Sequence, residues 1–176
     1  MFFVNKEEII NRVRERARNN YRTGLNCAEC VFRAIYDEGI TDLPPEVISL
    51  ATGFGGGIGL SGNTCGAVSG AVLAVGSVHG RKNPEAIEDM HERAMDLSGE
   101  AGRYRLFNNI PREFAEQFGD VKCANLVGPY EWTSRERHKL CQGFIGEAAA
   151  IGMRWILEAN EKGYRMPYGP NVAGLE

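Results

Sequence analysis

Apolar positions fall at helical spacing along most of the chain. Ile9, Ile10 and Val13 form one stripe in a segment that otherwise carries Glu, Arg and Lys, which predicts an amphipathic helix over 5–20. Cys27, Val31, Ala34 and Ile35 repeat the same period. They predict a second helix, capped by Asn26 and ending at Gly39, with Cys27 on its buried face in the first turn. "LPPEVISLATGF" predicts a third, short helix with a proline set for its first turn. Thr64 is the candidate cap of a fourth helix over 65–80. Asn83-Pro84 opens a long charged helix over 84–110, which Pro111 interrupts, or Pro111 begins the next segment, "PREFAEQFG". "DVKCANLVG" gives one or two turns closed by Gly128, and the last long helix runs from a Ser134 cap to a Gly163 stop. No segment alternates apolar and polar residues convincingly. The expectation is an all-α, single-domain helical bundle spanning 1–176, of roughly six to eight helices, with a glycine-rich loop before a central small-residue helix. Its core covers about 20–160 and a Pro/Gly tail occupies 164–176.

Composition adds little to that picture and removes several alternatives. The 176 residues are 43% hydrophobic and 24% charged, with a net charge of −3. Such a balance argues against nucleic acid or an anionic membrane as partner. No apolar run is long enough to span a bilayer, and "MFFVNKEEIINRVRERARNN" lacks the apolar stretch of a signal peptide. The expected location is the cytoplasm. Five scattered cysteines, Cys27, Cys30, Cys65, Cys123 and Cys141, do not make a secreted disulfide scaffold. In a reducing compartment they are core residues, metal or cluster ligands, or redox thiols.

The glycine-rich stretch Gly53–Gly76, "GFGGGIGLSGNTCGAVSGAVLAVG", asks for an explanation. Gly57 to Gly62 matches G-x-G-x-x-G, but no second parallel strand follows, so a dinucleotide fold is disfavoured. No Gly-Lys-Ser/Thr follows either, which excludes a P-loop. A bare anion at the helix start stays compatible with the free N–H groups there. Gly66, Ala67, Gly70, Ala71 and Ala74 recur three and four apart and form a smooth face for close backbone approach. Glycine within a helix costs about 1 kcal/mol against alanine, so Gly70 and Gly76 each call for close helix contact in compensation. Cys65 stands where the loop becomes helix, a position where N–H groups and the dipole lower a thiol pKa. The loop glycines can turn N–H groups toward whatever that sulfur carries.

Cys27 and Cys30 form C-A-E-C, with both sulfurs on one side of a helix. Taken singly, each cysteine reads as a small buried hydrophobe. Three of them, however, stand near predicted helix starts, which favours one shared site assembled by the fold. Spacings of 38, 58 and 18 positions separate Cys27, Cys65, Cys123 and Cys141 and match no local metal motif.

These residues resemble the family of redox-active proteins named for its cysteine pattern, C-GCAxxG-C-C. The early cysteine is Cys27 in "NCAECV"; the signature is "CGAVSG", Cys65 to Gly70, after "GFGGGIG"; the later pair is Cys123 in "FGDVKCANLVG" and Cys141 in "HKLCQGFI". The order Cys-Gly-Ala departs from the Gly-Cys-Ala of the pattern, and Cys30 is an addition to it. The resemblance covers about residues 20–160. It implies a small bacterial or archaeal redox protein without an established substrate. A related module in a split-Soret type of cytochrome is associated with an iron–sulfur cluster.

Three functions remain open at this point. The first is electron transfer by an iron–sulfur cluster, [2Fe–2S] or [4Fe–4S], on Cys27, Cys65, Cys123 and Cys141, with Cys30 as an extra candidate. The backbone of Gly55, Gly56, Gly57 and Gly66 would line that cluster. The second is a dithiol–disulfide oxidoreductase with Cys65 as a low-pKa attacker. The third is a non-catalytic module that stores a metal such as zinc or mediates assembly. The implied partner is an electron donor or acceptor protein, and the charged helix at 84–110 allows a homo-oligomer. His138, one turn before Cys141, reads as solvated amid Arg135, Arg137 and Lys139, with a ligand or acid–base role as its alternative. "RERHK" reads as a wet helix face, His91 as exposed, and His79 as a residue placed by the helix dipole. Tyr130, Trp132 and Trp155 read as packing residues.

Overall fold

The computed structural model describes residues 5–176, so the first four residues of the leader reading lie outside it. Seven α-helices follow in order: α1 Lys6–Arg22, α2 Cys27–Tyr36, α3 Gly66–His79, α4 Met90–Ser98, α5 Tyr104–Phe118, α6 Cys123–Val127 and α7 Arg135–Lys162. Among the described residues there is no strand, only one isolated bridge between Thr64 and Lys122. The all-α single bundle is therefore correct.

Several boundaries follow local chemistry. Asn26 makes a full capping box with Glu29 at the head of α2. Ser134 accepts from the Arg137 amide and starts α7. Gly119 closes α5 in a left-handed conformation. Other boundaries differ from the sequence reading. The segment Pro45–Phe54 is 3-10 rather than α-helical. Thr64 does not cap α3; it pairs with Lys122, and Cys65 itself is the cap residue. The continuous helix over 84–110 does not form. A 3-10 turn, Pro84–Ala86, precedes α4, and the chain leaves helix at Gly99, whose backbone is extended. Pro111 neither interrupts nor begins a helix, but lies inside α5.

The long helix α7 is the spine, packed against α1, α2, α3 and α5. Ile145, Met153 and Ile156 of α7 are buried with Val13, Val31, Ile35, Leu106, Ile110 and Phe114. Each such side chain contributes about 1.5–3 kcal/mol through burial. Small residues set how closely the central helices approach. A Cβ on Gly70 would stand 2.5 Å from the Ala28 carbonyl oxygen of α2, and one on Gly152 would stand 3.0 Å from Ile35. The smooth face of α3 thus serves the close approach its spacing predicted. Gly76 is the exception, because only Phe107 comes within 3.9 Å of a Cβ there.

Polar clamps finish the bundle. Arg12 and Arg16 hold Glu38 from two sides, and their guanidinium groups keep its carboxyl below the usual range. The tail is anchored: Arg105 donates to the Met166 carbonyl at 2.8 Å and stacks on Tyr168. His79 is buried rather than simply placed at the helix end. Its Nε2 faces the Ile156 carbonyl at 3.2 Å and its Nδ1 faces the Tyr164 hydroxyl at 3.0 Å. A carbonyl only accepts, so the neutral ring donates from Nε2 and accepts at Nδ1. Burial holds its pKa below the ordinary 6.5, the opposite of what a helix dipole alone would do.

Two predictions arise. Gly70→Ala destabilises the protein by about 1–3 kcal/mol through the clash with Ala28, whereas Gly76→Ala stabilises it by about 0.5–1 kcal/mol; urea unfolding compares them. Because the folded-state pKa of His79 is depressed, its contribution is intact above 6.5 and declines as pH falls through that value. Melting temperatures measured from about pH 7.5 down to about pH 5.5 decrease in the parent protein and decrease less in His79→Gln.

Candidate functional site

The chain brings four of its five cysteines to one cavity. Cys27 opens α2, Cys65 caps α3, Cys123 opens α6, and Cys141 lies in the second turn of α7. All four line a cavity of about 320 Å³, together with Tyr21, Gly55, Gly56, Leu60, Trp132 and Arg137. The five cysteines are free thiols.

The loop between Phe54 and Cys65 positions two of these sulfurs. It folds on itself through amide-to-carbonyl bonds from Gly59 to Gly53 and from Asn63 to Gly57. It then holds α6 directly: the Cys65 amide donates to the Val121 carbonyl and the Cys123 amide to the Asn63 carbonyl, both at 2.7 Å. Gly57 has φ +71°, and a Cβ there would meet Asn63 and the Cys123 Cβ at 2.8 Å. A Cβ on Gly66 would stand 2.7 Å from the Cys27 sulfur. The glycine after Cys65 therefore lets the Cys27 sulfur rest against the first turn of α3. Of the four glycines expected to line a cofactor, Gly55 and Gly56 line the cysteine cavity. Gly57 and Gly66 instead stand behind cysteines and allow their approach. Ile58 and Leu60 hold φ of 66° and 67°. Such backbone costs about 1–3 kcal/mol at each non-glycine residue and marks functional segments.

Cys30 is separate. It is fully buried, its thiol lies 3.5 Å from the Leu25 carbonyl, and it does not line the cavity. Cys27, expected on the buried face of α2, is half-buried at the cavity, and the two sulfurs expected on one side part company, since Cys30 belongs to the core.

Electrostatics also depart from the sequence reading. Burial pushes the Cys65 thiol up to about 12, with Cys27 beside it adding to the effect. The Ala67 and Val68 amides pull the other way and lose. The helix start does not make Cys65 a low-pKa thiol, because desolvation outweighs the amides. Burial raises Cys141 to about 11 against the opposing charge of Arg137, and raises Cys123 as well.

Arg137 is the residue that the wet-face reading misplaced. It is buried, its Nη1 lies 3.7 Å from the Cys141 sulfur, and its guanidinium sits 3.9 Å over the Trp132 ring. It makes no ion pair among the described residues, and no carboxylate lines the cavity. The spacing that signals it is its position four residues before Cys141, on one helix face. His138 is exposed and tilts against Tyr21 at 5.2 Å, outside the cavity. Tyr21 was not a candidate; burial raises its phenol to about 12, with Cys141 reinforcing the shift. Trp132 and Tyr130 are partly exposed rather than core residues.

Residues 25–155 match the family described as putative redox-active protein (C_GCAxxG_C_C). The chain belongs to this family. A protein of Archaeoglobus fulgidus, described only as uncharacterized, is 30% identical over 129 residues, covering 72% of this chain and 81% of its own. No solved structure matches. Among the described residues no helix is long and apolar enough to cross a membrane.

Thiol chemistry tests this geometry. In the metal-free native protein at about pH 8, Cys65 and Cys30 react slowly with iodoacetamide, and unfolding makes all five reactive. Arg137→Met removes the group that lowers Cys141, so labelling of Cys141 slows by about threefold or more when followed by peptide mass mapping.

Proposed function

We propose that this redox-family protein is an electron-transfer protein that holds an iron–sulfur cluster through Cys27, Cys65, Cys123 and Cys141. The observation that carries the reading is the convergence of these cysteines, from four separate helices, on one cavity that excludes Cys30. Four thiols match the ligand number of a [2Fe–2S] or [4Fe–4S] cluster. Among the described residues, no three His, Cys, Asp or Glu side chains stand close enough to hold a single metal ion.

A bound cluster would supply one-electron transfer. The chain supplies the remainder. The four cysteines give up protons on ligation, and a raised thiol pKa is no obstacle where a metal displaces the proton. The same raised pKa disfavours Cys65 as the attacking thiol of a disulfide exchange. Arg137 offers a buried positive charge against the anionic sulfurs and a donor to Cys141. Leu126, Val127, Phe144 and Ile145 provide apolar walls that limit water.

Anaerobic reconstitution with ferrous iron and sulfide is the test. The expected product is brown, binds iron and sulfide in equal amounts, and retains both in Cys30→Ser. Serine at position 27, 65, 123 or 141 removes or strongly bleaches the colour. A colourless product whose thiol count changes by two on reduction would replace the reading with dithiol chemistry.

A further inference from the structure

A second, open groove shares the Tyr21 side chain with the cysteine cavity. The groove is lined by Arg22, Thr133, Arg135, Glu136, His138, Lys139 and Gln142 in addition to Tyr21. Arg22, Arg135, His138 and Lys139 are exposed, and Glu136 is the only acid lining the groove. Arg22, Arg135 and Lys139 pair with no carboxylate among the described residues, whereas Arg12, Arg14, Arg16 and Arg18 on the same α1 all do. The chain as a whole carries −3, so this concentration of positive charge runs against its average. Among the residues lining the cysteine cavity, Leu60 is 69% exposed and Trp132 is 49% exposed. Leu60 is held there by a strained left-handed backbone. Exposed apolar residues at the opening of a redox cavity, bordered by unpaired cations, form the anatomy of a weak docking surface with an apolar centre and a charged rim.

We infer that this face docks an acidic one-electron carrier protein, with Arg22, Arg135 and Lys139 steering its carboxylates and Leu60 and Trp132 forming the contact over the sulfurs. The inference rests on the electron-transfer reading and adds the partner to it. In each encounter one electron moves between the reduced member of the pair and the oxidised member, and no bond is made or broken. Charge steering gives such an encounter speed and salt sensitivity more than tight affinity. The cations stay solvated, so their attraction weakens beyond the screening length of the buffer.

Isothermal titration of the purified protein with an acidic plant-type ferredoxin tests the inference, with a basic c-type cytochrome as control. The expected dissociation constant for the ferredoxin weakens about tenfold from about 20 mM to about 200 mM salt. The double variant Arg135→Glu, Lys139→Glu loses about tenfold or more at low salt, and Glu136→Gln does not weaken binding. These positions are exposed and unpaired, and unchanged melting temperatures establish that the variants fold. Equal or tighter binding of the cytochrome, or ferredoxin binding indifferent to the double variant, would overturn the inference. So would micromolar binding of inorganic pyrophosphate with no binding of ferredoxin, which would assign the groove to a small polyanion. Binding is read from heat and the cluster from colour. A colourless protein that still binds ferredoxin defeats the cluster reading alone, and a brown protein that ignores ferredoxin defeats the docking surface alone.

Discussion

The site depends on two places where the backbone of α3 carries no side chain. At Gly70 the Ala28 carbonyl of α2 occupies the space of a Cβ, and at Gly66 the Cys27 sulfur does the same. These are successive turns of one helix face, so they fix both the distance between α2 and α3 and their relative register. Cys27 begins α2 and Cys65 caps α3, so setting that register sets one sulfur relative to the other. The loop glycine Gly57 performs the corresponding service for Cys123. Interiors are close-packed and do not yield easily to an added methyl group. A chain without these glycines could form the same helices and still fail to bring its cysteines together.

Much of the fold was legible because helix periodicity and caps are local. Asn26, Ser134 and Gly163 marked boundaries that hold, and the stripe of Ile10 and Val13 is buried as the pattern requires. The failures share a cause. The run 84–110 looks like one helix in propensity, yet the chain turns at Gly99–Gly102 so that α5 can pack against α7. Thr64 is a good cap by residue type, but it lies opposite Lys122 in a bridge made by its neighbours, the Cys65 amide donating to Val121 and the Asn63 carbonyl accepting from Cys123, partners far along the chain. The convergence of cysteines was visible through their shared place at helix starts and the glycines between them. Arg137 was not, because a charge run reads as solvated until the fold shows which member turns inward.

Burial decided the direction of the thiol chemistry. Position at a helix start argues for an acidic thiol at Cys65, and the Ala67 and Val68 amides do act that way. They act within a site where Cys65 is 6% exposed, so the cost of placing a charge there dominates. The same reasoning separates Cys27 from Cys30. Three residues along a helix turn the second side chain by about 60° from the first, enough to move Cys30 from the cavity into the core beside Leu25.

Charge balance then limits what the cavity can hold. Four thiolates would bring four negative charges into an apolar chamber that contains one cation, Arg137. Uncompensated, such charges are strongly disfavoured, and burial accordingly raises the thiols of Cys65, Cys123 and Cys141. Arg137 is in the converse position: it is buried beside Cys141 and Trp132 with no carboxylate partner among the described residues. A cation kept this way costs stability unless something anionic shares the cavity. Iron would carry the positive charge that four thiolates need, and a cluster with four thiolate ligands would remain anionic enough to meet the guanidinium. On the iron–sulfur reading, the raised thiols of Cys65, Cys123 and Cys141 and the arginine without a carboxylate are two sides of one imbalance, and ligation of a cluster would relieve both.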